Sequence, residues 1–247
     1  MLDRFQELGR DMFVTGLVSS HTGAMSVRVE DRAVISRRGA MLGRLTAEDL
    51  VEFPINEDVP EAAAEDAVVH QAIYRGTDAK AVVYARPPWT MALALVEDRL
   101  SPASDEGSES LGSAPVLISQ RTIDSPDMAH MIARTLRESR VVALRGHGVF
   151  ARGEDLADAL HMVSLLEEMC KVVHIYRTLA REERQPIGPN QHDRQPIGPY
   201  RPRNDGYRRP PGGRGPGSGP PRRSDGPPRP LHEPRPPTCG RRGMPQR

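Results

Sequence analysis

Met25-Ser26-Val27-Arg28-Val29-Glu30-Asp31-Arg32-Ala33-Val34-Ile35 is the stretch that decides the architecture. Met25, Val27 and Val29 alternate with Ser26, Arg28 and Glu30, the period-two pattern of a strand with one buried face. Glu30-Asp31-Arg32 supplies a turn, and Ala33-Val34-Ile35 starts a return strand. Two successive strands are therefore joined as a hairpin, which a chain built only from parallel βαβ units does not contain.

Working outward, Leu2, Phe5, Leu8, Met12, Phe13 and Leu17 fall at three- and four-residue steps and predict an amphipathic helix before the hairpin. After it, Thr46-Ala47-Glu48-Asp49 pairs a capping hydroxyl with an acid three residues on, and Leu50, Val51 and Phe53 leave as a strand. Pro60 opens a helix expected to run to about Arg75, because proline in a first turn forfeits no hydrogen bond. Ala79 to Ala85 is a buried strand that Pro87-Pro88 stops. Further helices are expected over Thr90–Val96, Pro126–Ser139 and Asp155 to about Arg181. Further strands are expected at Val116–Ile118, Val141–Leu144 and Val149-Phe150. Helices interleave with strands that are often hairpin neighbours. That pattern predicts an α/β fold, a three-layer α/β/α sandwich around a mixed, largely antiparallel sheet, over residues 1–183.

The remainder, 184–247, has a different composition. Seventeen of the 24 prolines and eleven of the 22 glycines follow Glu183, and Arg184-Gln185-Pro186-Ile187-Gly188-Pro189 recurs at Arg194–Pro199. Such a segment buries too little to offset its ordering entropy, so a disordered tail is expected. Ser101 to Ser113 is acidic and serine-rich and reads as a mobile loop. Charge divides the same way: fourteen arginines against four acids give the tail +10, which leaves the first 183 residues at −9 within the overall +1. A basic Arg/Gly tail containing Tyr200 and Tyr207 suits either an acidic protein surface or RNA as partner. Cys170 and Cys239 are the only cysteines, which excludes a disulfide framework. No basic-plus-apolar leader is present and no apolar run approaches the ~20 residues of a membrane span, so a cytoplasmic protein is expected.

Three signatures occur in order. The first is Gly16-Leu17-Val18-Ser19-Ser20-His21-Thr22-Gly23-Ala24-Met25-Ser26-Val27-Arg28, followed by Ile35-Ser36-Arg37-Arg38-Gly39 and Leu45-Thr46-Ala47-Glu48-Asp49-Leu50-Val51. The second runs from Glu65 through His70 to Ile73-Tyr74-Arg75 and into Ala81-Val82-Val83-Tyr84-Ala85-Arg86-Pro87. The third is Gly146-His147-Gly148-Val149 with Gly153, Asp155-Leu156 and Ala159. Together they span roughly residues 5–180 and resemble the class II aldolase/adducin family, which includes sugar-phosphate aldolases and pentose-phosphate epimerases.

The resemblance implies a divalent metal site, usually zinc, held by a helix-start glutamate, a His-x-His pair and a histidine in a His-Gly turn. Such an ion polarises a substrate carbonyl through an open coordination position. Glu65 matches the glutamate and His147 the turn histidine, but the His-x-His pair falls on Tyr84 and Arg86. Arginine stays protonated and has no lone pair for a cation, and a phenol near its ordinary pKa of ~10 is a poor ligand. No cofactor is expected, or zinc if the family site is retained. Arg86 is expected to replace the ion and to pair with Glu65.

Three loops that the resemblance would fill with phosphate-binding hydroxyls and glycines read His21-Thr22-Gly23-Ala24, Arg38-Gly39 and Ala63-Ala64. Arg28, Arg37 and Arg38 are the candidate anion-binding residues. His70 lies five residues after Glu65, outside the three- or four-residue spacing of one helix face, and reads as structural, as do His161 and His174. The function expected is that of a non-catalytic or degenerate family member, an oligomeric binding or assembly module, tetrameric by resemblance. The alternative is an aldehyde-lyase or epimerase acting on a small (phospho)sugar or hydroxy-carbonyl compound with an altered metal site, with Glu65 as base and Arg86 stabilising the enolate.

Overall fold

Successive side chains on the central strands point to opposite faces, and this sorts the apolar residues into two layers. Strand β4 (Ala81–Ala85) sends Ala81, Val83 and Ala85 one way and Val82 the other. Strand β7 (Val141–Leu144) splits likewise, and on β8 (Gly148–Gly153) Val149 and Ala151 oppose Phe150. The first face packs on α1 (Leu2–Val14), α3 (Pro88–Ala94) and α5 (Leu156–Glu182) through Phe5, Leu8, Met12, Leu93, Val163 and Leu166. The second packs on α2 (Ala67–Gly76) and α4 (Pro126–Glu138) through Ile73, Tyr74, Met128, Ile132 and Leu136. These are the three layers expected. The computed structural model describes residues 1–101, 109, 111–118, 123 and 125–182. Most of the expected 101–113 loop and all of the 184–247 tail lie outside them.

Among the described residues eight strands run in the order β3-β2-β1-β4-β8-β7-β6-β5. The hairpin of β1 (Ala24–Val29) and β2 (Arg32–Ser36) pairs Ser26 with Ile35 and Val29 with Arg32, and Glu30 at the turn adopts φ 55°. Strand β3 (Leu50–Pro54) adds antiparallel to β2. The β6–β7 pairing is parallel and the others are antiparallel, with β5 (Arg99–Leu100) on β6 (Ala114–Leu117) at the far edge. The two-residue β5 has too little pattern to be read from sequence. Among the described residues, no helix is long and apolar enough to cross a membrane.

Two expectations need correction. The helix predicted from Pro60 starts at Ala67, because the preceding segment is tied to the end of β2. Ala63 bridges Arg37, the Arg38 amide donates to the Ala62 carbonyl (2.9 Å), and the Ala64 amide donates to the Ser36 carbonyl (3.1 Å). Those bonds hold the segment in turns and a single bridge to β2 and override the helical propensity of three alanines. The last helix also outruns the sheet. The sequence places Leu156, Leu160, Val163, Leu166, Met169, Val173 and Tyr176 on one apolar stripe of it, but the fully buried part ends at Cys170 and Tyr176 is 69% exposed.

Gly9 on α1 faces the loop after β2 so closely that a Cβ there would lie 2.3 Å from the Leu42 carbonyl oxygen. A glycine-to-alanine change inside a helix ordinarily stabilises by about 1 kcal/mol. Here contact with backbone reverses the sign. Gly9→Ala is expected to lower stability by about 1–3 kcal/mol, read from the midpoint of urea unfolding.

Candidate functional site

The end of β4 carries Tyr84 and Arg86 to one side of the sheet. Pro87 stops the strand, and the Arg86 amide donates to the Leu17 carbonyl (2.9 Å), fixing the exit against the loop after α1. That loop returns to β1 through Gly23 at φ +89°, where a Cβ would lie 2.5 Å from Val18 and 3.0 Å from the Tyr84 carbonyl oxygen. On the other flank, a Cβ at Gly148 would lie 2.4 Å from the Ala85 carbonyl oxygen and 2.7 Å from the Tyr84 ring. Tyr84 stacks on Phe150 with centroids 4.6 Å apart.

These elements enclose a cavity of about 350 Å³. Arg37 and Arg38 reach it from the turn after β2, Glu65 and Asp66 from the approach to α2, and Tyr84 and Arg86 from β4. His21 also lines it, with Nδ1 2.8 Å from the Gly39 carbonyl oxygen. Five of the sequence-selected residues thus meet at one place: Glu65, Arg86, Arg37, Arg38 and Tyr84. Two do not line the cavity. Arg28 is turned to the Tyr74 carbonyl (3.0 Å) and the Glu30 carbonyl (3.2 Å), and His147 sits half-buried in the β7–β8 turn. A larger cavity of about 680 Å³ lies by α4 and β6 against Arg99, Arg134 and Arg140, away from every residue selected from the sequence.

The expected Glu65–Arg86 ion pair is not formed. Glu65 is 76% exposed at its side chain and pairs with Arg38, whose Nη1 is 3.3 Å from its Oε1. The reason is again the tether of residues 62–64 to β2, which places Glu65 beside the Arg37-Arg38 turn. Arg38 Nε also donates to the Glu61 carbonyl (3.1 Å) and Arg37 Nε to the Glu48 carbonyl (2.7 Å). Among the described residues no carboxylate pairs with Arg86, which is exposed at the cavity.

Asp66 is the carboxylate that reading the sequence passed over. It stands at the N-cap position of α2, where its side chain makes no capping hydrogen bond, and is 5% exposed. Its Oδ2 lies 3.4 Å from Nε2 of the fully buried His70, yet neither atom has a hydrogen-bond partner. Behind them, His70 Nδ1 is 2.7 Å from Ser26 Oγ, which is 2.6 Å from the Tyr74 hydroxyl. Burial raises the Tyr74 phenol well above its ordinary value, against smaller opposing effects from Ser26 and Arg28. The signal was present as Asp66-x-x-x-His70, the four-residue spacing of one helix face. It was hidden by measuring from Glu65.

The residues do not fit the zinc ion that the resemblance implies. The Tyr84 hydroxyl donates to the His147 carbonyl (3.2 Å), and burial pushes its pKa up to about 12, Asp66 adding to the rise and Arg86 opposing it. Making the phenolate at pH 7 costs roughly 7 kcal/mol on that footing. Arg86 brings a permanent cation instead of a lone pair. Among the described residues, no group of three or more His, Cys, Asp or Glu side chains is placed to hold a metal.

A three-layer α/β sandwich with its polar cavity at the end of β4 defines the class of protein, and the comparisons specify it. The profile of the class II aldolase and adducin N-terminal domain matches residues 3–174, and the chain belongs to that family. It is 31% identical over 190 residues to a probable bifunctional methylthioribose-1-phosphate isomerase/methylthioribulose-1-phosphate dehydratase of Nocardia farcinica, covering 69% of this chain and 34% of that protein. It is 28% identical over 160 residues to mouse gamma-adducin, covering 60% of this chain and 22% of the adducin. The chain therefore spans about a third or less of these two relatives. The crystal structure of L-fuculose-1-phosphate aldolase from Thermus thermophilus superposes with a TM-score of 0.71 at 35% identity, covering 75% of this chain and 97% of that one.

Adjacent carboxylates in different settings predict different responses. Glu65→Ala should change stability by no more than about 0.5 kcal/mol. His70→Ala removes a packed ring and leaves Asp66 buried without its imidazole, and should cost about 2–4 kcal/mol. Thermal melts of the two variants beside the parent protein check both.

Proposed function

We propose that the chain is a degenerate class II aldolase/adducin-like protein that works without zinc, as an oligomeric binding or assembly module. One observation carries the reading: the positions that the resemblance assigns to a His-x-His pair hold a neutral phenol and a guanidinium. Neither offers a divalent ion a favourable ligand at neutral pH, and Arg86 repels one. Gamma-adducin shares the domain with enzymes, so the fold is compatible with roles of both kinds. The same resemblance supports a homo-oligomer, and two cysteines without a disulfide framework suit the reducing cytoplasm. The +10 tail is left to engage an acidic protein surface or RNA.

A second reading has an observation of its own. Asp66 is a buried carboxylate at the cavity wall, backed by the His70 imidazole, and the Thermus structure belongs to an enzyme. On this reading the chain is a metal-independent aldehyde-lyase or epimerase. Glu65, or Asp66 beside it, removes a proton next to a substrate carbonyl, and Arg86 stabilises the resulting enolate.

Zinc content separates the first reading from an intact family site. Protein incubated with excess zinc and passed through a desalting column is expected to retain far less than stoichiometric metal by elemental analysis. The Tyr84→His/Arg86→His double variant is expected to retain more. Stoichiometric zinc on the parent protein would overturn the proposal. Deuterium exchange at carbon in dihydroxyacetone phosphate, followed by NMR in heavy water, addresses the second reading, and none is expected if the module is non-catalytic.

A further inference from the structure

Arginines around the cavity differ in what their donors already hold. Arg38 is committed to Glu65 and to the Glu61 carbonyl, and Arg37 Nε to the Glu48 carbonyl. Arg86 lines the same cavity, and among the described residues it has neither an ion-pair partner nor a side-chain hydrogen bond. A guanidinium with its fork unoccupied matches the two oxygens of a carboxylate through parallel N–H···O bonds.

Asp66 lines the same cavity, and its carboxylate, acceptor-only when ionised, can take a hydrogen bond from a ligand hydroxyl. A bare carboxylate meets repulsion from Asp66, whereas a hydroxyl on the neighbouring carbon gives that acid a donor. Both charges lie within electrostatic reach of the Tyr84 phenol, since Asp66 raises and Arg86 lowers its pKa. Cation, phenol and carboxylate all line one cavity of about 350 Å³, near the lower end of the ~300–1,000 Å³ of small-molecule sites.

We propose that Arg86 stands in the metal's place as a fixed cation and that the cavity binds a small 2-hydroxy acid, carboxylate on Arg86 and hydroxyl toward Asp66. The inference rests on the zinc-free reading above and deepens it by naming a ligand class. Phosphate is the competing oxyanion. It favours several convergent donors, and the Nε groups of Arg37 and Arg38 are already engaged with backbone carbonyls.

The test is calorimetric titration of the full-length protein in EDTA with glycolate, acetate and inorganic phosphate. Glycolate is expected to saturate with a Kd on the order of millimolar, several-fold tighter than acetate or phosphate. Arg86→Gln, at an exposed position that does not threaten folding, should weaken glycolate about tenfold or more, and Arg86→Lys should recover only part of that. Asp66→Asn should narrow the preference for glycolate over acetate. Absence of saturable glycolate binding, equal binding by Arg86→Gln, or a preference for phosphate each overturns the proposal. Zinc-free protein that ignores glycolate sinks this inference and leaves the earlier reading standing. Glycolate binding that requires added zinc and disappears in EDTA sinks both.

Discussion

Strand β4 is hydrogen-bonded on both sides, to β1 and to β8, and must leave the sheet at Pro87. Its backbone is therefore placed by sheet pairing rather than by the side chains at its end. Packing reinforces this: Gly23 and Gly148 bring neighbouring backbone against Tyr84 and Ala85 with no room for a Cβ, and Phe150 covers the Tyr84 ring. Positions 84 and 86 are thus presented to the cavity whatever residues occupy them. A family that uses this point for chemistry can exchange donor atoms there without rebuilding the sheet, and this chain keeps the architecture while carrying a phenol and a guanidinium.

Electrostatics explains why the exchange reaches beyond two residues. A divalent ion draws carboxylates and neutral imidazoles around it, whereas a guanidinium brings its own charge and seeks acceptors. Glu65 is turned out to Arg38, Asp66 lies inward against His70, and the Tyr84 hydroxyl is spent on the His147 carbonyl. Glu65 and Tyr84 are thus engaged within the protein, whereas Asp66 Oδ2 faces His70 without a hydrogen bond. Burial, with the Asp66 carboxylate adding to it, favours the neutral Tyr84 phenol, whose hydroxyl donates to the His147 carbonyl.

Much of the fold was legible because period and punctuation agree. The alternation at Met25–Val29, the turn at Glu30 and the stop at Pro87-Pro88 each have a local cause, and tertiary structure respects them. The Thr46–Asp49 cap likewise forms, with Asp49 Oδ2 accepting from the Thr46 amide and hydroxyl at 2.8 Å each. The start of α2 was not legible, because the bonds that hold Ala62–Ala64 out of the helix come from the end of β2 and the Arg37-Arg38 turn, more than twenty residues earlier. That single long-range tether decides the site as well. It exposes Glu65 and buries Asp66, so a reading that took the first acid after the alanines chose the solvent-facing one. Arg28 was misplaced for a related reason: a strand arginine with an accessible carbonyl nearby satisfies itself on Tyr74 and does not reach toward the cavity.

The buried chain from His70 through Ser26 to Tyr74 bears on how Asp66 can be interpreted. Ser26 belongs to β1 and the other two to α2, so the chain pins the helix to the hairpin that defines the fold. Its hydroxyls and ring nitrogen satisfy one another and exclude water, which makes each member costly to replace on structural grounds alone. His70 Nε2 is the loose end, and it points at Asp66 without a well-formed bond. A group held for folding at one nitrogen and left unsatisfied at the other can steady a neighbouring carboxylate without being consumed by it. The structural role of the chain and the availability of Asp66 at the cavity are then consequences of one arrangement: the polar network anchors the helix, and the helix start carries the acid to the wall where Arg86 supplies the opposite charge.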